Sequence, residues 1–222
     1  MAEKERLDRQ TMALRVAREF QDGDVVNLGL GIPVLASNFV PAGREVIFHT
    51  ENGALGFGEI TLPGEGDLDL TNASGQTVHP QPGMSFFGQS ESLAMMRGGH
   101  LDVSVVGGFQ VSERGDLANW ATPEKQLTIG GAMDLAEGAK RLIVAMNHTT
   151  KEGDYRVVKE CTYPLTALEC VDLIVTDIAV IDVTKLGLIL KEVAPGWTPE
   201  EVQALTEPVL IIDTNCQEMT LM

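Results

Sequence analysis

A carboxylate stands where a strand-like run ends. Glu45-Val46-Ile47-Phe48 leads through His49 and Thr50 to Glu51, followed at once by Asn52-Gly53 and then by Gly56 and Gly58. Glycine permits backbone conformations and close approaches that a side chain forbids. A carboxylate at a strand end, with bare backbone beside it, is suited to meeting a substrate. The same residues also read as an ordinary turn, since Asn-Gly is the commonest hairpin dipeptide. Far along the chain, Gly130-Gly131-Ala132 precedes a helical run that reaches Ala139. The first turn of a helix carries orphan N–H donors and a partial positive charge, so it can hold an oxyanion. Gly-Gly equally lets two elements pack closely. Near the start, Gly29-Leu30-Gly31-Ile32-Pro33 forms a glycine loop after a short apolar run. The dinucleotide fingerprint fails there, because its third glycine would fall on Val34.

The elements that must position these groups follow from periodicity. Glu3 to Phe20 reads as a helix, with Leu7, Met12, Ala13, Val16, Ala17 and Phe20 on one face. Val25 to Leu28 reads as a buried strand and Val34 to Phe39 as a short helix. Leu62 to Gly83 is a polar, Gly- and Pro-rich connection with short strands or an irregular excursion. Ser90 to Arg97 reads as a helix, Val103 to Val106 as a strand, and Gln110 to Gln126 as an extended loop. Arg141 to Asn147 is an apolar strand, Thr149 to Asp154 a turn, and Tyr155 to Glu160 a segment that pairs with its neighbour. Val171 to Asp182 carries two apolar runs, and Leu188 to Val193 is a strand. Thr198-Pro199-Glu200-Glu201 has an N-cap, a proline at the first helical position and acidic residues in the first turn. Val209 to Ile212 closes the pattern. Strands alternating with helices predict an α/β fold, an open largely parallel sheet flanked by helices, in one domain over 1–222.

Composition narrows the function classes. The chain has 222 residues, 16 basic against 32 acidic, and a net charge of −16. Nucleic acid and anionic membrane surfaces call for clustered Lys and Arg, so neither is expected as a partner. Cys161, Cys170 and Cys216 form no CxxC pair and read as reduced thiols. The N-terminus is charged and amphipathic, unlike a signal peptide, and no apolar run of membrane-spanning length occurs. A cytoplasmic protein is the expectation. His49, His79, His100 and His148 share no ligand spacing with one another or with the cysteines, so no metal site is expected. His100 and His148 adjoin apolar strands and read as structural. No GxSxG elbow, HExxH pair or P-loop is present. Carboxylate chemistry at Glu51 is what remains, with Gly131-Ala132 as an anion-stabilising partner.

These residues carry a resemblance. Phe48-His49-Thr50-Glu51-Asn52-Gly53-Ala54-Leu55-Gly56 resembles the Ser-Glu-Asn-Gly signature of family I coenzyme A transferases, in the B (β) chain type. The likeness continues through 27–33, 96–102, 107–112, 115–120 and 130–135, and covers roughly residues 5 to 185. It implies that Glu51 is the nucleophile of a ping-pong transfer of CoA from an acyl-CoA to a carboxylic acid, through an acyl-glutamyl anhydride and a glutamyl-CoA thioester. It implies that Gly131 and Ala132 supply backbone donors to the oxyanion, and that Asn52 and Gly53 shape the pocket. Gly29, Gly31, Gly108 and Gln110 are assigned to substrate or CoA binding on the same resemblance. CoA would be a substrate, with no tightly bound cofactor. The A subunit's Gly-Gly-Phe-x-x-x-Gly-x-Pro signature is not reproduced after Gly107-Gly108-Phe109. A separate A subunit is therefore implied, in an A2B2 heterotetramer. The favoured acid is acetoacetate or another short-chain 3-oxoacid, acetate or butyrate. The alternatives are a dicarboxylate such as 3-oxoadipate or glutaconate, or a non-catalytic binding role on the same scaffold. Thr50 stands where the family has Ser, and Gly88 where it usually has Asp or a similar polar residue.

Overall fold

The computed structural model describes residues 4–123 and 128–221. The first half of the chain runs α1 (Arg9–Ala17), β1 (Val25–Leu28), a 3-10 helix (Pro33–Phe39), β2 (Ile47–Thr50), β3 (Ala54–Ile60), β4 (Val78–Phe86), α2 (Gln89–Arg97) and β5 (Val103–Val106). It continues through β6 (Gln110–Ser112), β7 (Leu117–Ala118), α3 (Ala132–Gly138), β8 (Arg141–Met146) and β9 (Val157–Val158). The last elements are β10 (Leu173–Thr176), β11 (Ala179–Thr184), β12 (Gly187–Val193), α4 (Pro199–Ala204) and β13 (Ile211–Glu218).

A 10-stranded sheet takes the order β13-β12-β11-β10-β8-β5-β1-β2-β3-β4. Its centre is parallel: β2 with β1, β1 with β5, β5 with β8 and β8 with β10. Antiparallel hairpins extend it on both sides, β3 and β4 after β2, and β11 and β12 after β10. The central strands are apolar on both faces, as a covered parallel sheet requires. Ile143, Ala145, Leu173 and Val175 face one core with Met12, Val16 and Phe20 of the N-terminal segment. Leu142, Val144, Met146 and Ile174 alternate onto a second core with Met96, Leu135 and Val111. Each of these side chains other than Ala145 contributes roughly 1.5–3 kcal/mol through burial.

Several boundaries differ from the sequence expectation. The first helix spans only Arg9–Ala17, because Asp8 caps it by accepting from the Thr11 N–H at 2.7 Å. Glu3, where it was expected to begin, lies outside the described residues. The strand before Glu51 is displaced toward it, to Ile47–Thr50. The connection Leu62–Gly83 ends in the long strand β4, which carries Pro80 and Pro82 and is almost wholly exposed. An edge strand tolerates proline and needs no apolar alternation, so periodicity does not reveal it. Residues 110–123 are not a featureless loop but hold β6 and β7; positions 124–126 of that expected loop lie outside the described residues. Of the pairing expected of Tyr155–Glu160, Tyr155 bridges Thr149 across the turn, and Val157–Val158 form β9, which joins β6 in parallel in a separate sheet ordered β7-β6-β9. The helix from Thr198 forms with a reciprocal cap, Thr198 Oγ1 accepting from the Glu201 N–H and Glu201 Oε2 from the Thr198 N–H. Among the described residues no helix is long and apolar enough to cross a membrane.

The Asn-Gly turn is a real hairpin, joining β2 to β3. Gly53 has φ +109°, and a Cβ there would sit 2.1 Å from the Phe87 carbonyl oxygen. The Phe87 N–H in turn donates to the Gly53 carbonyl at 3.0 Å. Gly53→Ala is therefore expected to lower stability by about 2–3 kcal/mol, through both backbone strain and the displaced strand end. Differential scanning calorimetry reads this directly. A variant melting with the wild type would show that the hairpin does not need this approach.

Candidate active site

The chain leaves β1 to one side for β2, β3 and β4, then returns to the other side of β1 for β5. Where strand order reverses, the loops after the strands diverge and leave a crevice at their carboxyl ends. A cleft of about 520 Å³ lies there. Gly29, Gly31 and Ile32 after β1, Glu51 after β2, Gly107 to Phe109 after β5 and Asn147 after β8 line it. Gly130, Gly131 and Ala132 close one side. Local sequence makes each of these loops, but only the parallel register brings them to one end of the sheet.

Glu51 is partly buried at the hairpin tip. Burial raises its carboxyl above the ordinary glutamate value, and the negative charge of Asp134 raises it further; a hydrogen bond from the Gly131 N–H pulls it back. Gly131 comes so close that a Cβ on it would lie 2.5 Å from Glu51 Oε2. The Ala132 N–H donates to the Ile129 carbonyl at 3.2 Å, so its donor is engaged within the loop. Thr50 is buried, and its hydroxyl donates to Asn52 Oδ1 at 2.7 Å while accepting from the Ala73 N–H at 2.9 Å. It ties the turn to the 71–77 loop, whose Ala73 also lines the cleft.

Behind Glu51, His49 is fully buried. Asn27 Nδ2 donates both to the His49 carbonyl at 3.3 Å and to ring Nδ1 at 2.9 Å. That leaves Nε2 protonated, donating to Ser92 Oγ at 3.0 Å. Desolvation pushes the imidazole down to about 4, so it is neutral and clamps β1, β2 and α2 together. His148 is likewise buried and pushed down to about 4, between the hydroxyls of Thr176 and Thr206.

The site residues named from the sequence divide into two groups. Glu51, Gly29, Gly31, Gly108, Gly131 and Ala132 line one cleft. Asn52, Gly53 and Gln110 are not on its wall. Asn52 Nδ2 donates to the Thr71 carbonyl at 2.8 Å, so it builds the turn, as Gly53 does. Gln110 is engaged elsewhere in the fold. Its side chain is buried, with Oε1 accepting from the Thr162 and Tyr163 N–H groups and Nε2 donating to Thr162 Oγ1. It anchors the chain after β9. Arg9, Asn119, Trp120 and Arg156 also line the cleft, and none was named from the sequence. Asn119 and Trp120 lie in a stretch that carries the resemblance, which was the available signal. Arg9 sits in an amphipathic helix and Arg156 beside a polar turn, where a cation is unremarkable.

Residues 9–205 match the family model described as Coenzyme A transferase. The chain belongs to the coenzyme A transferase family. The B subunit of the 3-oxoadipate CoA-transferase of Pseudomonas putida is 49% identical over 208 residues, covering 93% of this chain and 97% of the relative. The B subunit of a probable succinyl-CoA:3-ketoacid coenzyme A transferase of Bacillus subtilis is 46% identical over 200 residues, 90% of this chain and 93% of its own length. Among solved structures, the acyl-CoA transferase YdiF of Escherichia coli O157:H7 superposes with a TM-score of 0.77 at 20% identity over all of this chain. This chain spans only 45% of YdiF, so that likeness speaks for the fold of one portion of the larger enzyme.

Proposed function

We propose that this transferase-family chain is the B half of a two-subunit CoA-transferase, and that Glu51 carries the CoA. The observation that supports this reading is a partly buried carboxylate in a cleft, held by the Gly131 N–H. Glu51 attacks the thioester carbonyl of an acyl-CoA. The C–S bond breaks, and CoA leaves as thiolate with its electron pair. The thiolate then attacks the Glu51 carboxyl carbon of the resulting anhydride, releasing the first acid as carboxylate and leaving a glutamyl-CoA thioester. An incoming carboxylate reverses the sequence and takes the CoA. No proton is gained or lost, and one thioester replaces another, so the exchange is close to thermoneutral. In each attack on the Glu51 carboxyl carbon the negative charge develops on a Glu51 oxygen. The Gly131 N–H already points at that group, which is the placement that oxyanion stabilisation requires.

The anhydride and the thioester both hydrolyse in water, so the cleft must be closed during turnover. A partner A subunit would cover it, in an A2B2 assembly, with CoA as substrate and no tightly bound cofactor, acting in the cytoplasm on short-chain fatty-acid or 3-oxoacid substrates. Incubating the complex with an acyl-CoA and digesting it tests the reading by mass spectrometry. The peptide holding Glu51 gains the mass of CoA less water. Absence of that adduct with every acyl-CoA tried, partner present, leaves only a binding role on this scaffold.

The pH profile carries a second test. The nucleophile is the ionised form, and burial with Asp134 nearby places its titration above 4.5. Activity therefore falls as pH drops through that raised value. Asp134→Asn removes the like charge and should move the acidic limb of kcat/KM to lower pH. Asp134 also pairs with Arg97 at 2.6 Å, an exposed contact worth little to stability. An unmoved limb would mean that Asp134 does not act on the group that titrates.

A further inference from the structure

The most informative unused group in the molecule is Arg156. It lines the same cleft as Glu51 and is partly buried. Burial depresses its guanidinium, while Asp177 acts on it only through its field. No ion pair or side-chain hydrogen bond holds Arg156 among the described residues. Asp177 is engaged elsewhere: its carboxylate accepts from the His148 N–H at 2.7 Å, from Arg6 at 3.1 Å and from Asn147 Nδ2 at 3.2 Å. In a chain of net charge −16, a half-desolvated cation left unpaired is conspicuous. Such a group is costly unless an anion completes it.

Its backbone is pinned. The Val111 N–H donates to the Arg156 carbonyl at 2.9 Å, and the next residue enters β9. The small sheet thus exists in part to present this side chain to the cleft, with Asn119 and Trp120 beside β7. Glu51 enters the cleft from the end of β2, whereas Asn147 follows β8 and the small sheet packs on β8 through Val111, Leu117 and Val157 against Leu142, Val144 and Met146. β2 and β8 are three strand spacings apart, about 14 Å. Glu51 and Arg156 therefore reach one cleft of about 520 Å³ from different elements, the first just after β2 and the second just before β9.

We propose that Arg156 is the specificity residue that holds the distal carboxylate of a dicarboxylic acid substrate while the proximal carboxylate exchanges CoA at Glu51. A planar guanidinium matches a carboxylate bidentately and with geometric selectivity. A CoA phosphate offers the same anionic chemistry. The interior placement favours the small acid: the long CoA must leave the cleft through its rim, where the exposed Arg9 stands between this cleft and a shallower depression over Leu30 and Gly31. The proposal rests on the transferase reading above and narrows it from the short monocarboxylates to the dicarboxylates.

The test uses Arg156→Gln and Arg156→Lys in the assembled complex, with succinyl-CoA and acetoacetyl-CoA as donors and succinate, acetate and acetoacetate as acceptors. Arg156→Gln should cut kcat/KM for the diacid substrates by about 30- to 100-fold and leave the monoacids within about threefold. Arg156→Lys should recover part of the diacid rate, since a point charge replaces the fork. The glutamyl-CoA adduct should still form from acetoacetyl-CoA in Arg156→Gln. An equal loss for diacids and monoacids, accompanied by a raised KM for every CoA ester, assigns Arg156 to a CoA phosphate and overturns the proposal. No change for either class overturns it too, as does a wild-type complex that transfers CoA to monoacids only. A wild type that forms no adduct with any acyl-CoA instead refutes the transferase reading itself, and this inference falls with it.

Discussion

Glu51→Gln should abolish CoA transfer, lowering kcat by at least about 10⁴-fold, while the protein folds and associates as before. The amide is nearly isosteric and can still accept from the Gly131 N–H, so the cleft keeps its shape. It cannot form the anhydride, because it lacks the anionic oxygen. Residues that form a covalent intermediate cannot be replaced by their neighbours, so the loss is close to complete. Stability should move the other way. A carboxyl whose folded-state value is raised above 4.5 binds more protons folded than unfolded, so it opposes folding as pH rises through that interval. At neutral pH the neutral amide removes this penalty, and the melting temperature should hold or rise. A calorimetric scan beside the adduct assay checks both halves. Retained turnover with a retained adduct at another residue would remove Glu51 from the chemistry.

Gly131→Ala should lose activity without losing the fold. Its φ is −82°, a conformation alanine adopts readily, so no backbone strain is expected. What the new methyl meets is Glu51 Oε2, at 2.5 Å. The carboxylate must turn away or the loop must retreat, and either movement breaks the N–H contact. A displacement of about 1 Å at a reacting group can cost 10²-fold, so kcat should fall by roughly 10²–10³-fold with the melting temperature within a few degrees. The two positions should also be non-additive: the double variant with Glu51→Gln should be no slower than Glu51→Gln alone. A Gly131→Ala variant with full activity would show that the Gly131 approach is packing and nothing more. Its contrast with Gly53→Ala is instructive, since that glycine is required by a positive φ and a neighbouring carbonyl, and its loss should appear as stability.

Much of the catalytic reading was legible in local sequence. Glu51 is placed by a strand followed by an Asn-Gly turn. It is a hairpin, and its tip carries the carboxylate into the cleft. Thr198 likewise announces its helix, because a cap is a matter of four consecutive residues. The edges were less legible. β4 and β13 are exposed, and an edge strand bearing proline or polar residues carries little hydrophobic signal. Gln110 lies in a family block, but the bonds of its amide to Thr162 and Tyr163, partners about fifty positions away, are written in no local pattern.

The carboxylate, the glycines that flank it and the buried runs of a parallel sheet are all written in the chain's near-neighbour patterns, since turn chemistry and periodicity are local. Three further facts belong to the folded molecule alone: Gly131 touches Glu51, His49 is a neutral clamp behind it, and Arg156 shares its cleft with no ion-pair partner among the described residues. They depend on the strand order β8-β5-β1-β2, which brings loops distant along the chain to one end of the sheet. They also depend on which charges burial leaves unpaired, a quantity that no local pattern encodes.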